Sequence, residues 1–221
     1  AIALIVYLAY HRTFKIYFTV IGALTALMSI SYIWARKITG TIDFFSPTVY
    51  ADGPYMNSVG ILIITNTFIT MLVLCTYMLR HKLLAVAVSD RNSHKVKLTL
   101  YGFAILLAIA GISFYIHGTL RSLILNSNIN LELYKISDSI AYSSMIYLSY
   151  TGLASCILLL LHALEPVARR LFNLRFRVLG RTGIILFAAL CSLYFTCISS
   201  TLGFKKEMDR VTVWANRLAV D

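Results

Sequence analysis

Residues 56–79 read MNSVGILIITNTFITMLVLCTYML and contain no charged side chain. Asn66 is the most polar side chain in the interior of this run. A helix needs about 20 apolar residues to cross the hydrocarbon core of a bilayer, which is about 30 Å thick. The stretch therefore predicts a membrane-spanning helix, and it decides the class of fold.

Apolar runs of this kind recur along the whole chain. They occupy residues 1–10, 14–34, 56–79, 98–117, 139–163 and 182–203. Each run is expected to be a helix, because only helices and closed barrels satisfy every backbone polar group in lipid. The sequence predicts one all-α domain over residues 1–221, a polytopic transmembrane bundle with six spans present.

The composition excludes several classes of protein. The chain is 59% hydrophobic and 13% charged, whereas soluble domains carry about 25% charged residues. Its net charge of +11 comes from basic residues between the apolar runs, so membrane topology explains it better than nucleic-acid binding does. Membrane lipid is the expected partner, and no nucleic acid is expected.

Residues that could carry chemistry are few. The interiors of the runs hold no Asp, Glu, Lys or Arg, which argues against an ion-coupled pump or a channel with a charged ring. No G-x-S-x-G or H-E-x-x-H motif occurs, so no enzyme, metal site or cofactor is predicted. His11, His81 and His162 share one predicted side, which leaves a haem-binding pair as an alternative to interfacial anchoring. The four cysteines are interpreted as small buried apolar residues.

The distribution of Lys and Arg predicts an orientation. The loop after the third run and the loop after the fifth carry five each, whereas the loops after the second and fourth carry two each. Since short basic loops stay in the cytoplasm, the amino end is expected outside. Residues 204–221 would also lie outside. The short first run, which starts on Ala1, then predicts a fragment of a seven-helix protein that stops before its last helix.

Two basic loops can be interpreted either as membrane anchors or as a surface that binds a partner. Residues 80–95 and 165–177 mix Arg and Lys with aliphatic and aromatic side chains. Cytoplasmic anchoring near anionic lipid explains this pattern without a protein partner. The alternative is a cytoplasmic docking surface.

Several short stretches resemble motifs of the nematode serpentine chemoreceptors of the Sra/Srab/Sre kind. Residues 11–15, His-Arg-Thr-Phe-Lys, resemble the first inner loop of that family. Residues 81–86, His-Lys-Leu-Leu-Ala-Val, stand where the family has Glu-Arg-x-x-Ala-Thr, with Lys82 at the Arg place and Ala85 at the Ala place; the acidic residue is missing. Asn173 and Arg175 to Arg177 resemble the family's segment between its fifth and sixth helices.

The resemblance covers most of the chain and implies a function. It implies a G-protein-coupled chemoreceptor in the plasma membrane that senses small molecules from the outer side. A heterotrimeric G protein would then face Lys82, Ala85, Arg91, Arg175 and Arg177. Aromatic and amide side chains in the outer halves of the helices are the candidate ligand contacts. These are Asn66, Tyr142, Tyr147 and Tyr194.

Two alternatives stay open at this point. Asn66 could serve only as an interhelical hydrogen-bonding residue instead of contacting a ligand. The whole chain could also be a non-receptor membrane protein, such as a lipid-handling enzyme, a carrier or an assembly subunit. The same hydropathy pattern fits each of them.

Overall fold

The computed structural model describes residues 14–38, 58–78, 80–81, 84, 94–126, 140–173 and 177–218. These ranges are helical apart from short connections, and they contain no strand. The helices are α1 (Phe14–Ile38), α2 (Val59–Met78), α3 (His94–Asn126), α4 (Ile140–Phe172) and α5 (Arg181–Leu218). The all-α prediction is confirmed for this part of the chain.

Four of these helices are long and apolar enough to cross a membrane. The candidate spans are Val59–Met78, Lys95–Asn126, Ser144–Phe172 and Arg181–Arg217. They coincide with the last four runs that the sequence predicts. The first run, residues 1–10, lies outside the described residues, and α1 is not among the four candidates. The structure thus supports a helical bundle suited to a membrane with four spans.

Helix α4 is the centre of the bundle. It packs extensively against both α2 and α3, whereas it touches α5 only lightly. Helix α5 reaches the bundle mainly through α3, and α1 reaches it through α2. A displacement of α4 would therefore change the packing of most of the described helices.

Contacts between side chains show the relative directions of α2 and α4. The amide of Asn66 bonds the hydroxyl of Ser149 near one end. Tyr77 lies beside the ring of His162 near the other end, with the ring centroids 6.0 Å apart. Residue numbers rise together along the two helices, so α2 and α4 run parallel.

Helix α3 runs in the opposite direction to α4. Tyr150 of α4 bonds Thr119 of α3, whereas Val167 lies against Gly102. The order α2, α3, α4 is therefore down, up, down, as a chain that threads back and forth across a layer requires. The ends of α2 and α4, near Arg80 and Arg169, consequently lie at the same end of the bundle as the start of α3.

The packed core lies between α2, α3 and α4. Apolar side chains from these three helices are buried together, and Tyr150, at 1% exposure, is the largest of those that are almost fully buried. In a membrane such packing stabilises through close van der Waals contact, because lipid is as apolar as the side chains. Members with almost no exposure are Leu62, Leu120, Leu123, Ile146, Leu153 and Cys156.

One glycine permits the closest approach of α3 and α4. A Cβ atom on Gly102 would lie 2.9 Å from Cγ1 of Val167. Val167 is 2% exposed, and a β-branched side chain has little freedom to move aside. The backbone of α3 can therefore sit against α4 at this level only with a residue that has no side chain.

Three helices end later than their apolar runs. Helix α3 continues from residue 117 to Asn126, and α4 continues from residue 163 to Phe172. Helix α5 continues from residue 203 to Leu218. The sequence predicts a loop over residues 165–177 with Pro166 at the helix boundary, but that proline lies inside α4. The boundary was wrong because contacts beyond Pro166 stabilise the helix. Val167 packs into the core, and Arg169 bonds Glu165 one turn earlier.

Candidate functional site

A chain of hydrogen bonds crosses the interior of the bundle at Asn66. The hydroxyl of Tyr115 on α3 donates to Oδ1 of Asn66 at 2.9 Å. Nδ2 of Asn66 donates to Oγ of Ser149 on α4, also at 2.9 Å. Ser149 in turn donates to the backbone carbonyl of Ile146 at 2.8 Å. Asn66 has 0% exposure, so this chain satisfies a fully buried amide and ties three helices together.

A second polar contact links α3 and α4 one turn away. The hydroxyl of Tyr150 donates to Oγ1 of Thr119 at 3.0 Å. Thr119 donates to the carbonyl of Tyr115 at 2.8 Å, so the two sets of bonds meet at Tyr115. The interior of this half of the bundle is therefore a connected polar network and not an uninterrupted apolar core.

Helix α5 joins this half of the bundle through aromatic side chains. The hydroxyl of Tyr194 lies 3.0 Å from Nδ1 of His117. Phe195 meets the ring of Tyr150 edge-on, with the centroids 5.9 Å apart. Edge-to-face ring pairs of this kind are favourable beyond their burial. The first contact joins α5 to α3 and the second joins it to α4, while the rest of the border between α4 and α5 stays open.

That open border forms a groove of about 430 Å³ between α4 and α5. Its walls are mostly aliphatic and aromatic, with hydroxyl groups on both helices. Thr151 and Ser155 of α4 and Thr196 of α5 donate to carbonyls within their own helices. Their oxygens keep lone pairs that can accept a hydrogen bond. The lining residues are Tyr147, Thr151, Ala154, Ser155, Leu158, Ile184, Phe187, Ala188, Cys191, Ser192, Phe195 and Thr196.

The predicted ligand contacts fall in one half of the bundle but on different surfaces. Tyr147 lines the groove. Tyr194 is 39% exposed and faces His117 instead. Asn66 is enclosed in the polar network, which is the interhelical role that the sequence left as an alternative. The backbone of Tyr142 belongs to α4, and its side chain is outside the described part of the structure.

The opposite end of α4 carries a buried acid that the sequence analysis missed. Glu165 is 8% exposed. Its carboxylate lies 3.3 Å from Nδ1 of His162 and 3.0 Å from a guanidinium nitrogen of Arg169. The ring of Tyr77 on α2 stands beside His162 and under the guanidinium of Arg80, whose Cζ is 3.9 Å from the ring centroid. The cluster joins the ends of α2 and α4.

A helical spacing in the sequence could have revealed this cluster. His162, Glu165 and Arg169 stand at i, i+3 and i+7, which places them on one face of a helix. Because Pro166 and the charges around it favour a loop over residues 165–177, the sequence prediction does not place these three side chains on a helix. Pairing within the helix lets the carboxylate remain buried.

The residues predicted to face a G protein are mostly beyond what the structure describes. Lys82, Ala85, Arg91 and Arg175 all lie outside the described residues. Arg177 is described and exposed, just before α5 begins. His11 is also outside the described residues, while His81 is exposed and His162 is engaged with Glu165.

Other chemistry-bearing side chains are dispersed. Among the described residues, no group of three His, Cys, Asp or Glu side chains is close enough to hold a metal ion. Cys75 and Cys156 are buried, as predicted, whereas Cys191 is half-buried and Cys197 is exposed. Cys191 lines the groove.

Comparison of the chain with known protein families, with characterised sequences and with solved structures finds no match. The groove, the polar network and the cluster around Glu165 therefore have to be interpreted from their own geometry.

Proposed function

We propose that the protein is a G-protein-coupled, chemoreceptor-like membrane protein that binds a small molecule between α4 and α5. The observation that carries the proposal is the groove of about 430 Å³. Small-molecule sites have volumes of roughly 300–1,000 Å³ and combine apolar walls with a few polar groups. The groove has this size and this lining.

The lining defines the chemistry of the ligand. Aromatic rings of Tyr147, Phe187 and Phe195 and several aliphatic side chains favour an apolar body. The hydroxyl oxygens of Thr151, Ser155 and Thr196 offer acceptors from the lining. We therefore expect a compact, largely apolar molecule that donates one or two hydrogen bonds.

The position of α4 supports coupling between the groove and the basic end of the bundle. Helix α4 lines the groove at Tyr147 and carries the cluster at Glu165 in its other half. A ligand that fits better with α4 displaced from α5 would shift the population of bundle conformations. The cluster with Tyr77 and Arg80 would then be rearranged, and with it the adjoining basic surface.

The proposal includes a membrane orientation. The six apolar runs would be six spans of a seven-helix type of bundle in the plasma membrane, with the amino end outside. The concentration of Lys and Arg in the loops around residues 80–97 and 169–181 supports this orientation. The G protein would meet these loops at Lys82, Ala85, Arg91, Arg175 and Arg177. The likeness of residues 11–15 and 81–86 to the nematode receptors adds support.

A signalling assay with a blocked groove tests the ligand site. Ala188 lines the groove, whereas the neighbouring Ala189 is exposed and does not. In cells expressing the full-length gene product, Ala188→Trp should abolish the response to an activating compound, and Ala189→Trp should preserve it. Equal responses of the two variants, at equal surface expression, would remove the groove as the ligand site.

Charge reversal tests the docking surface. Arg91→Glu together with Arg177→Glu should eliminate G-protein activation while leaving ligand binding in place. If both surface expression and signalling survive these changes, the proposed docking surface is wrong.

One observation supports a different candidate, an assembly subunit of a membrane complex. The most apolar stretch of α5 has no buried residue, so this helix offers a broad surface to another protein. The side on which Asp221 lies distinguishes the two candidates. A cytoplasmic Asp221 in a chain with six complete spans would contradict the receptor proposal and favour the subunit.

A further inference from the structure

Helix α5 is too long to be only a membrane span. It contains 38 residues, and at 1.5 Å per residue it extends about 57 Å, against about 30 Å of hydrocarbon core. Its apolar run ends at Gly203, and Lys205 and Lys206 follow directly. Residues 204–218 therefore continue as a helix beyond the hydrocarbon core.

This extension carries an apolar stripe. Phe204, Met208, Val211 and Ala215 stand at i, i+4, i+7 and i+11, which places them on one face of a helix. Phe204 is 66% exposed and Val211 is 63% exposed. A continuous row of exposed apolar side chains marks a surface that contacts a membrane or another protein.

Charged and aromatic side chains border the stripe. Lys205 lies along one border and Trp214 along the other, while Lys206, Arg210 and Arg217 lie on the face opposite the stripe. Glu207 lies at the second border, three residues before Arg210. Residues 204–218 hold four basic and two acidic residues. A polar face rich in Lys and Arg, with a Trp beside the apolar face, is characteristic of helices that lie in a membrane interface.

We propose that residues 204–218 lie on the membrane surface, with the stripe in the interface and the basic side chains among the phosphate groups of the lipid headgroups. The inference rests on α5 crossing the bilayer, since that crossing delivers the segment directly to the headgroup layer. The segment follows Ser199, Ser200 and Gly203, and Gly/Ser pairs are common places for a helix to bend. Each Lys or Arg that reaches anionic headgroups should raise the bound fraction relative to the free fraction about five-fold.

Trp214 provides a direct test in the full chain. The protein contains two tryptophans, Trp34 and Trp214, so Trp34→Phe leaves Trp214 as the only reporter. The purified variant is reconstituted in vesicles of phosphatidylcholine with or without phosphatidylglycerol. We expect blue-shifted emission, quenching by lipids brominated near the headgroup, and weak quenching by aqueous iodide. Phosphatidylglycerol should strengthen all three effects.

Two aspartate substitutions control for charge alone. Val211 lies on the stripe, whereas Val213 is 51% exposed on the opposite face. In the Trp34→Phe background, Val211→Asp should expose Trp214 to iodide, and Val213→Asp should not. Both variants should remain monodisperse, because neither residue contacts the packed core.

Two results would overturn the proposal. The first is red-shifted emission with full iodide quenching in both lipid mixtures, which would mean that the extension stands in water. The second is protection from iodide that depends on the ratio of protein to lipid and occurs without quenching by brominated lipid. That pattern would assign the stripe to a second copy of the chain.

Discussion

At the scale of single residues, the bundle depends on a few positions where the side chain is irreplaceable. Gly102 has no Cβ, and this absence lets α3 approach Val167. Asn66 satisfies its amide through Tyr115 and Ser149 at 0% exposure. Both residues act on packing between helices and not on the stability of their own helix. Substitution at either should therefore change the association of helices.

Gly102→Ala should destabilise the protein, although alanine is the better helix former. The new methyl group would meet Cγ1 of Val167 at 2.9 Å, and overpacking of this kind costs about 1–3 kcal/mol. Gly111 is on the same helix with nothing within 4 Å of its Cβ position. Gly111→Ala is therefore the matched control, and its thermal midpoint should be unchanged or higher. A Gly102→Ala midpoint equal to that of the control would show that α3 and α4 are not closely packed there.

Asn66→Ala should also lower the free energy of unfolding. It deletes two interhelical hydrogen bonds and leaves the hydroxyl of Tyr115 without this buried acceptor, a loss of about 1–3 kcal/mol. Thr67 is exposed and bonds only within its own helix, to the carbonyl of Ile63. Thr67→Ala should be close to neutral in the same unfolding measurement. Equal effects of the two substitutions would argue against the network.

The sequence predicted part of this site, and the limit is physical. Asn66 stood out because an amide in an apolar run needs a partner. Its partners could not be predicted, since Tyr115 and Ser149 are 49 and 83 residues away. Hydropathy reports whether a side chain tolerates lipid, but not which helix it will face. For the same reason the groove beside Tyr147 was not predicted, whereas the helices that form it were.

At the scale of helices, the apolar runs located the spans but not the helix ends. The predicted run ended at residue 163 because Glu165, Pro166 and Arg169 are poor residues for lipid. A helix can nevertheless continue through them, since Glu165 is paired with His162 and Arg169 inside the same helix. The length of a helix depends on hydrogen bonding and packing, and the length of a span depends on hydropathy.

Pro166→Ala tests the continuity of α4. Proline lacks the N–H that would bond the carbonyl of His162, and in a helix interior it costs up to about 3 kcal/mol relative to alanine. Pro166→Ala should therefore raise the thermal midpoint, while Ala168→Pro, two residues later in α4, should lower it strongly. An unchanged midpoint for Ala168→Pro would mean that α4 has already ended before residue 168.

At the scale of the whole molecule, the three packed helices run in alternating directions. Helices α2 and α4 run parallel and α3 runs against them. Arg80, Glu165 and the start of α3 consequently lie at one end of the bundle, as the predicted alternation of loops requires. Successive spans predict this alternation, and the side-chain contacts show it for α2, α3 and α4. Which end faces the cytoplasm is part of the proposed function.

Labelling of single cysteines tests this arrangement in a membrane. In a background with all four native cysteines replaced, Lys97→Cys and Arg177→Cys should react with an impermeant thiol reagent from the same side of sealed vesicles. Asn126→Cys, at the far end of α3, should react only from the other side. Labelling of Lys97→Cys and Asn126→Cys from one side would show that α3 does not cross the bilayer.

The exposure of α5 has a consequence for biosynthesis. The most apolar stretch of α5 has no buried residue. Such a helix can leave the translocon without a neighbouring helix, because the transfer of its apolar side chains into lipid is favourable by itself. Helix α2, which encloses Asn66, brings an amide that is satisfied only after α3 and α4 have been made. Synthesis of the described helices would thus end with a helix that needs no partner to enter lipid, whereas α2 would enter early and wait for α3 and α4 before its amide is satisfied.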